Sequence, residues 1–166
     1  TTHDQSSAAS DVYKRQEGLQ VGLVNINERK VLLNFLDHKE VILNNKNSVY
    51  DLKVIAGDQE YVKSMSQEIL SSIPEEFSLG QNYPNPFNPI TQMEYSLPQS
   101  SKVIISIYNV LGQEIKTLVN KEQDYGYHYV SWDGTDRLGK SVASGVYFTQ
   151  MRSDGFSQSK KMLLLK

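Results

Sequence analysis

The chain has 166 residues, 39% of them hydrophobic, which is material for one full domain and part of another. A formal net charge of -2 gives no global field to recruit nucleic acid or an anionic membrane, so neither partner class is expected from composition. Cysteine is absent, which excludes a disulfide scaffold, thiol catalysis and thiolate metal sites.

The opening residues 1–16, Thr1 to Gln16, are polar and aperiodic and are read as a non-native or disordered stretch, of the kind translated from adaptor sequence at the end of a metagenomic fragment. A signal peptide, if the parent has one, is then expected upstream of this piece. No apolar run approaches the roughly 20 residues that span a bilayer, so no transmembrane segment is expected.

From Leu19 onward come short apolar runs separated by Asn, Asp and Gly: Leu19 to Ile26, Val31 to Leu36, Val41 to Leu43, Tyr50 to Ile55 and Glu60 to Val62. They predict strands, and residues 17–63 read as a small β-rich remnant of an upstream domain. Residues 64–76 lose the alternation and read as a linker, although Met65, Ile69 and Ile73, four apart, also fit a short amphipathic helix. A boundary is expected near Phe77.

Tyr83-Pro84-Asn85-Pro86-Phe87-Asn88-Pro89 follows, and its three prolines lack amide donors, so the segment should be extended or turning and should mark an edge. Thr91 to Leu97 then reads as a strand ended by Pro98. In Lys102 to Asn109, Val103, Ile105 and Ile107 share one face. Leu111-Gly112 should turn the chain into a strand from Gln113 to Val119. Tyr125 to Trp132 alternates cleanly, with Tyr125, Tyr127 and Tyr129 on one face and His128, Val130 and Trp132 on the other, the last two placed inside. Turn signals at Asp133-Gly134-Thr135-Asp136 and Leu138-Gly139-Lys140 precede two strands, Gly145 to Met151 and Phe156 to Leu165, paired antiparallel through Asp154-Gly155. Strands at this spacing predict an all-β fold, an antiparallel β-sandwich of immunoglobulin-like type over residues 77–166.

Four blocks in this half carry a resemblance: Tyr83 to Pro89, Ile107 to Ile115, Gly145-Val146-Tyr147-Phe148, and the closing Lys160-Lys161-Met162-Leu163-Leu164-Leu165-Lys166. Together they resemble the type A C-terminal sorting domain of the type IX (Por) secretion system. The stretch from Ser131 to Tyr147 is also similar to the immunoglobulin-like domain of flagellar hook-capping proteins. The resemblance implies a label at the C-terminus of exported proteins of Bacteroidetes-like, Gram-negative bacteria. Its implied partners are an outer-membrane secretion translocon and a signal-processing peptidase, and its implied destination is the cell surface or the medium by way of the periplasm. On that family's pattern the sorting motif here is Tyr83, Pro84, Asn85, Pro86, Phe87, Gly112, Gly145, Val146, Tyr147, Lys160, Lys161, Leu163, Leu165 and Lys166, with cleavage expected within 64–76. The last strand, lying at a chain end, is expected to present a free edge for strand addition by a receptor.

Other sites are weaker. Tyr125, Tyr127 and Tyr129 could form an aromatic platform for sugar rings, making the unit a carbohydrate-binding or adhesion module; ordinary cross-strand pairing is the plainer reading. His128 is expected as a rim or core residue with a single partner. Asp133, Asp136 and Asp154 lie in turn contexts without calcium-loop spacing. No cofactor, no metal and no catalytic residue is expected, and the domain should be a monomer without enzyme activity.

Overall fold

The computed structural model describes residues 20–34 and 51–166, so the expected strand Val41 to Leu43 lies outside the described residues. The chain divides into two compact units, residues 1–70 and 71–166.

In the first unit β1 (Gln20–Asn25) lies between β2 (Lys30–Asn34) and β3 (Leu52–Gly57), both antiparallel to it. Leu23, Val24 and Ile26 are buried along β1, and Ile55 is buried on β3. Helix α1 (Gln59–Ser72) follows directly. Its start corrects the expected strand at Glu60 to Val62. The Asp58 carboxylate accepts a 2.8 Å bond from the Tyr61 amide, an N-cap that satisfies one orphan donor of the first turn, and Glu60 complements the positive end of the helix dipole. The buried positions Val62 and Ser66 are four apart, with half-buried Met65 and Ile69 beside them, so the helical alternative for the expected linker is the one adopted. The cap outweighs the local β-propensity of a three-residue run.

The second unit is a two-layer antiparallel sandwich, and its all-β immunoglobulin-like class agrees with the sequence reading. The remaining strands are β4 (Ser78–Leu79), β5 (Thr91–Leu97), β6 (Ser101–Asn109), β7 (Glu114–Gln123), β8 (Gly126–Trp132), β9 (Gly145–Ser153) and β10 (Phe156–Leu164). One sheet has the order β10-β9-β6-β7 and the other β4-β5-β8. Val103, Ile105 and Ile107 from β6, Met151 from β9, Met162 and Leu164 from β10, and Met93, Tyr95 and Leu97 from β5 fill the space between them. Period-two alternation turns each strand's apolar set inward. The β9–β10 hairpin turns through Asp154 and Gly155, both at positive φ (41° and 80°), as an Asp-Gly two-residue turn requires.

Trp132 anchors the core. Its ring lies 5.6 Å from Phe87 and 5.0 Å edge-on to Tyr147, while its indole N–H donates to the Thr135 carbonyl at 2.9 Å. Tyr147 in turn donates its hydroxyl to the Ala143 carbonyl, and burial raises its pKa. Among the described residues no helix is long and apolar enough to cross a membrane.

Candidate functional site

The motif blocks, far apart in sequence, meet at one pole of the sandwich. The antiparallel register brings there the end of β6 and start of β7 (Tyr108 opposite Glu114), the start of β9 and end of β10 (Gly145 opposite Leu164), and the start of β5 and end of β8 (Thr91 opposite Trp132). The segment Tyr83 to Pro89 closes this pole.

Two residues just outside the recognised motif shape that segment. Asn82 is buried, and its amide donates to the Pro84 carbonyl (3.0 Å) and to the Thr91 hydroxyl (2.9 Å), which itself donates to Pro84 (2.9 Å). With Pro84, Pro86 and Pro89 the segment lacks three amide donors, so the Asn82 side-chain amide and the Thr91 hydroxyl supply bonds to its backbone. The polar pair Asn82 and Thr91 gave no sequence signal beyond its position flanking the prolines.

Phe87 is then driven into the core, 2% exposed, and its backbone docks parallel to the chain end. The Phe87 amide donates to the Leu163 carbonyl (3.0 Å) and the Leu165 amide donates to the Phe87 carbonyl (2.9 Å). Asn85 accepts from the Leu163 amide at 3.0 Å, and Gln81 donates to the Lys161 carbonyl at 2.9 Å. β10 is therefore an edge strand on which the Lys161 carbonyl, the Leu163 amide and carbonyl and the Leu165 amide are already taken. This corrects the expectation of a free edge. The proline segment is itself the cover, which is how natural sheets blunt an edge that would otherwise recruit a foreign strand.

The remaining motif residues sit around this seal. Gly112 turns the β6–β7 connection at φ 75°, its amide donating to Asn109, whose carboxamide oxygen also accepts from the Leu111 and Gln113 amides. Gly145 and half-buried Val146 begin β9, and Tyr147 packs on Trp132. On β10, Lys161 is exposed on the outer face, Leu163 is half-buried, and Leu165 and Lys166 protrude beyond the strand; Lys160 alternates toward the other face. What sequence reasoning missed is the apolar relief of the pole. Of eight large apolar side chains exposed in this unit, six are here: Tyr83, Ile90, Val110, Leu111, Leu138 and Leu165. Leu111 and Leu138 are 78% and 84% exposed on two turns, and a bond from the Arg137 amide to the Ile115 carbonyl ties the turn of Leu138 to the start of β7, which follows the turn of Leu111.

The carboxylates near the pole are engaged internally. Asp133 accepts from the Thr135 hydroxyl (2.6 Å) and amide and from the Lys116 ammonium (3.3 Å), and the Thr135 bond, followed by Lys116, holds its pKa below the usual carboxylate value despite partial burial. Asp136 accepts from the Leu138 and Lys140 amides, both at 2.9 Å, and so shapes the turn bearing Leu138. Asp154 occupies the β9–β10 hairpin. Each of the three aspartates has a turn to hold; among the described residues no group of three or more His, Asp or Glu side chains could hold a metal ion.

Tyr127 and Tyr129 project from β8 onto the outer face of the smaller sheet, 58% and 59% exposed, whereas Tyr125 precedes the strand and is half-buried. The Tyr129 hydroxyl donates to Glu94 on the neighbouring strand at 2.6 Å, and that carboxylate raises its pKa. The platform is thus two rings, one tethered by a cross-strand partner. His128 stacks on Tyr95 at 5.3 Å, with its Nε2 2.8 Å from the Asp124 carbonyl oxygen. Tyr95 donates to Gln123 at 2.6 Å; desolvation raises its pKa more than that bond lowers it.

A family model described as the FlgD Ig-like domain matches residues 90–155, from the residue before β5 to the β9–β10 turn. No curated protein sequence matches the chain. Among solved structures, dimeric latent PorU from Porphyromonas gingivalis is similar at 15% identity over 70% of this chain, with a TM-score of 0.46. PorZ, described as an essential surface component of the type-IX secretion system of the same bacterium, is similar at 15% identity over 82% of this chain, with a TM-score of 0.38. FlgD from P. aeruginosa is similar at 22% identity over 46% of this chain and 66% of its own, also with a TM-score of 0.38. This chain spans 11% of the PorU chain and 19% of the PorZ chain. Within the second unit, residues 90–155 are similar to the FlgD Ig-like domain.

Proposed function

We propose that the second unit is a C-terminal sorting signal, which directs an upstream cargo across the outer membrane of a Gram-negative bacterium for attachment to the surface or release. The observation that supports this most is the convergence of the four resembling blocks. Tyr83 to Pro89, the turn at Gly112, Gly145 to Tyr147 and the part of the last block from Lys161 to Lys166 are separate in sequence, yet they meet in one hydrogen-bonded pole. The rest of the sandwich surface carries two exposed large apolar side chains, Tyr127 and Tyr129.

In this reading the translocon recognises the pole, and the domain performs no chemistry; any enzyme activity belongs to the cargo. The signal is monomeric and a peptidase removes it upstream of Phe77. A periplasmic reporter carrying the whole chain at its C-terminus should reach the surface of a type IX-competent host. The same fusion ending before Lys160 should stay in the periplasm, and its export would overturn the proposal.

The match to the FlgD Ig-like domain favours a second reading, an assembly module that packs against further copies. It calls for concentration-dependent self-association of the purified chain, which light scattering measures directly.

A further inference from the structure

The same pole has an electrostatic character that the chain's net charge of -2 conceals. Arg137 and Lys140 flank Leu138 on its turn, Lys161 lies on the outer face of β10, and Lys166 follows Leu165. All four side chains are exposed, and none of the four takes part in the Lys30–Glu28 or Lys116–Asp133 ion pair. Of the carboxylates at this pole, Asp133 is balanced by Lys116, while Asp136, bonded to the Leu138 and Lys140 amides, and exposed Glu114, which accepts from the Thr117 hydroxyl, keep their charge, so the four cations outnumber the two carboxylates that have no cation partner there. The acidic excess lies elsewhere in the unit, at Glu75, Glu76, Glu94, Glu122, Asp124 and Asp154. The unit is therefore polarised, with a basic, apolar-tipped pole.

We infer that this pole is a membrane-contact surface that seats on a bilayer rich in anionic headgroups. Isolated apolar tips on rigid turns, such as Leu111 and Leu138, suit shallow insertion at the headgroup–acyl boundary, and unpaired cations beside them suit acidic headgroups. Neither tip is needed for the core, so both are available for the contact. The inference stands on charge and exposure alone and would survive failure of the export reading.

The purified 166-residue chain is to be floated with vesicles of phosphatidylcholine alone and of phosphatidylcholine mixed with phosphatidylglycerol. Binding is expected to the mixed vesicles and to fall as salt is raised, because the Debye length shrinks to about 3 Å at 1 M. At roughly fivefold per basic side chain near an anionic surface, R137Q/K140Q should weaken partition by about thirtyfold. L111S/L138S should weaken it as well, whereas K102Q/R152Q, the same charge change at the opposite pole, should leave it unaltered. Thermal unfolding followed by Trp132 fluorescence confirms that each variant is folded. Absence of binding, equal loss in the opposite-pole control, or binding indifferent to L111S/L138S and competed away by soluble polyglutamate would overturn the inference, the last pointing to an acidic protein instead.

Discussion

Phe87→Ala probes the joint on which the pole depends. The ring is 2% exposed, packed 5.6 Å from Trp132, and its residue's amide and carbonyl bond Leu163 and Leu165. Truncation removes most of a buried aromatic and leaves a cavity under the proline segment, which costs about 3–5 kcal/mol. A domain of this size loses about 4–8 °C of Tm per kcal/mol, so a fall on the order of 15–30 °C is expected. Urea unfolding followed by tryptophan fluorescence is the assay, since Trp132 is the chain's only tryptophan and touches the mutated site. Hydrogen exchange adds a local readout: the amides of Leu163 and Leu165 should lose protection before those of β6. A loss below about 1 kcal/mol, with both amides still protected, would refute the argument that Phe87 locks the segment onto β10.

Gly134 sits at φ 69°, and a Cβ there would lie 3.3 Å from the Pro89 carbonyl oxygen and 3.5 Å from Leu164. G134A should therefore destabilise by at least the roughly 1–2 kcal/mol cost of the left-handed region, while G112A, at φ 75° with nothing within 4 Å, should cost no more than that; chemical denaturation compares them. The Asp133 pKa is lowered in the folded state, so its stabilising contribution is present above the unfolded value near 3.8 and is lost as pH falls through the lower folded value. D133N should remove that acid-side dependence, and acid titrations of stability for both chains measure it. Glu94 raises the Tyr129 hydroxyl pKa, so E94Q should shift one phenolate transition in the ultraviolet titration to lower pH. Y127A/Y129A should change stability little beyond about 1 kcal/mol, since both rings are more than half exposed, and an unaltered export yield would separate this face from the pole.

Strand positions in the second unit were legible because period-two alternation is strong there. Val103, Ile105 and Ile107 face inward and are fully buried, and Trp132 fell where alternation put it. The Asp-Gly and Leu-Gly turns were legible for the same local reason: each needs a residue that tolerates positive φ. Helix α1 was only half legible, because Met65 and Ile69 signal a helix weakly and the decisive bond is a single carboxylate cap at Asp58. The sealing of β10 was not legible, since it depends on Asn85, Phe87 and Leu163 meeting across more than seventy residues of sequence. Nor was the charge polarity, which total composition averages away. Lys116 balances Asp133 at the pole, while Arg137 and Lys140 remain exposed beside Leu138.

The central claim is that export reads the pole where the separated blocks meet. Surface delivery of a periplasmic reporter bearing the chain, scored by protease accessibility in a type IX-competent host, tests it most directly when L111D/L138D is compared with a substitution pair at exposed positions on the far side, K102D/S157D. Retention of the first reporter and delivery of the second is the expected result. Delivery of both at equal yield, with both chains folded, would contradict the account.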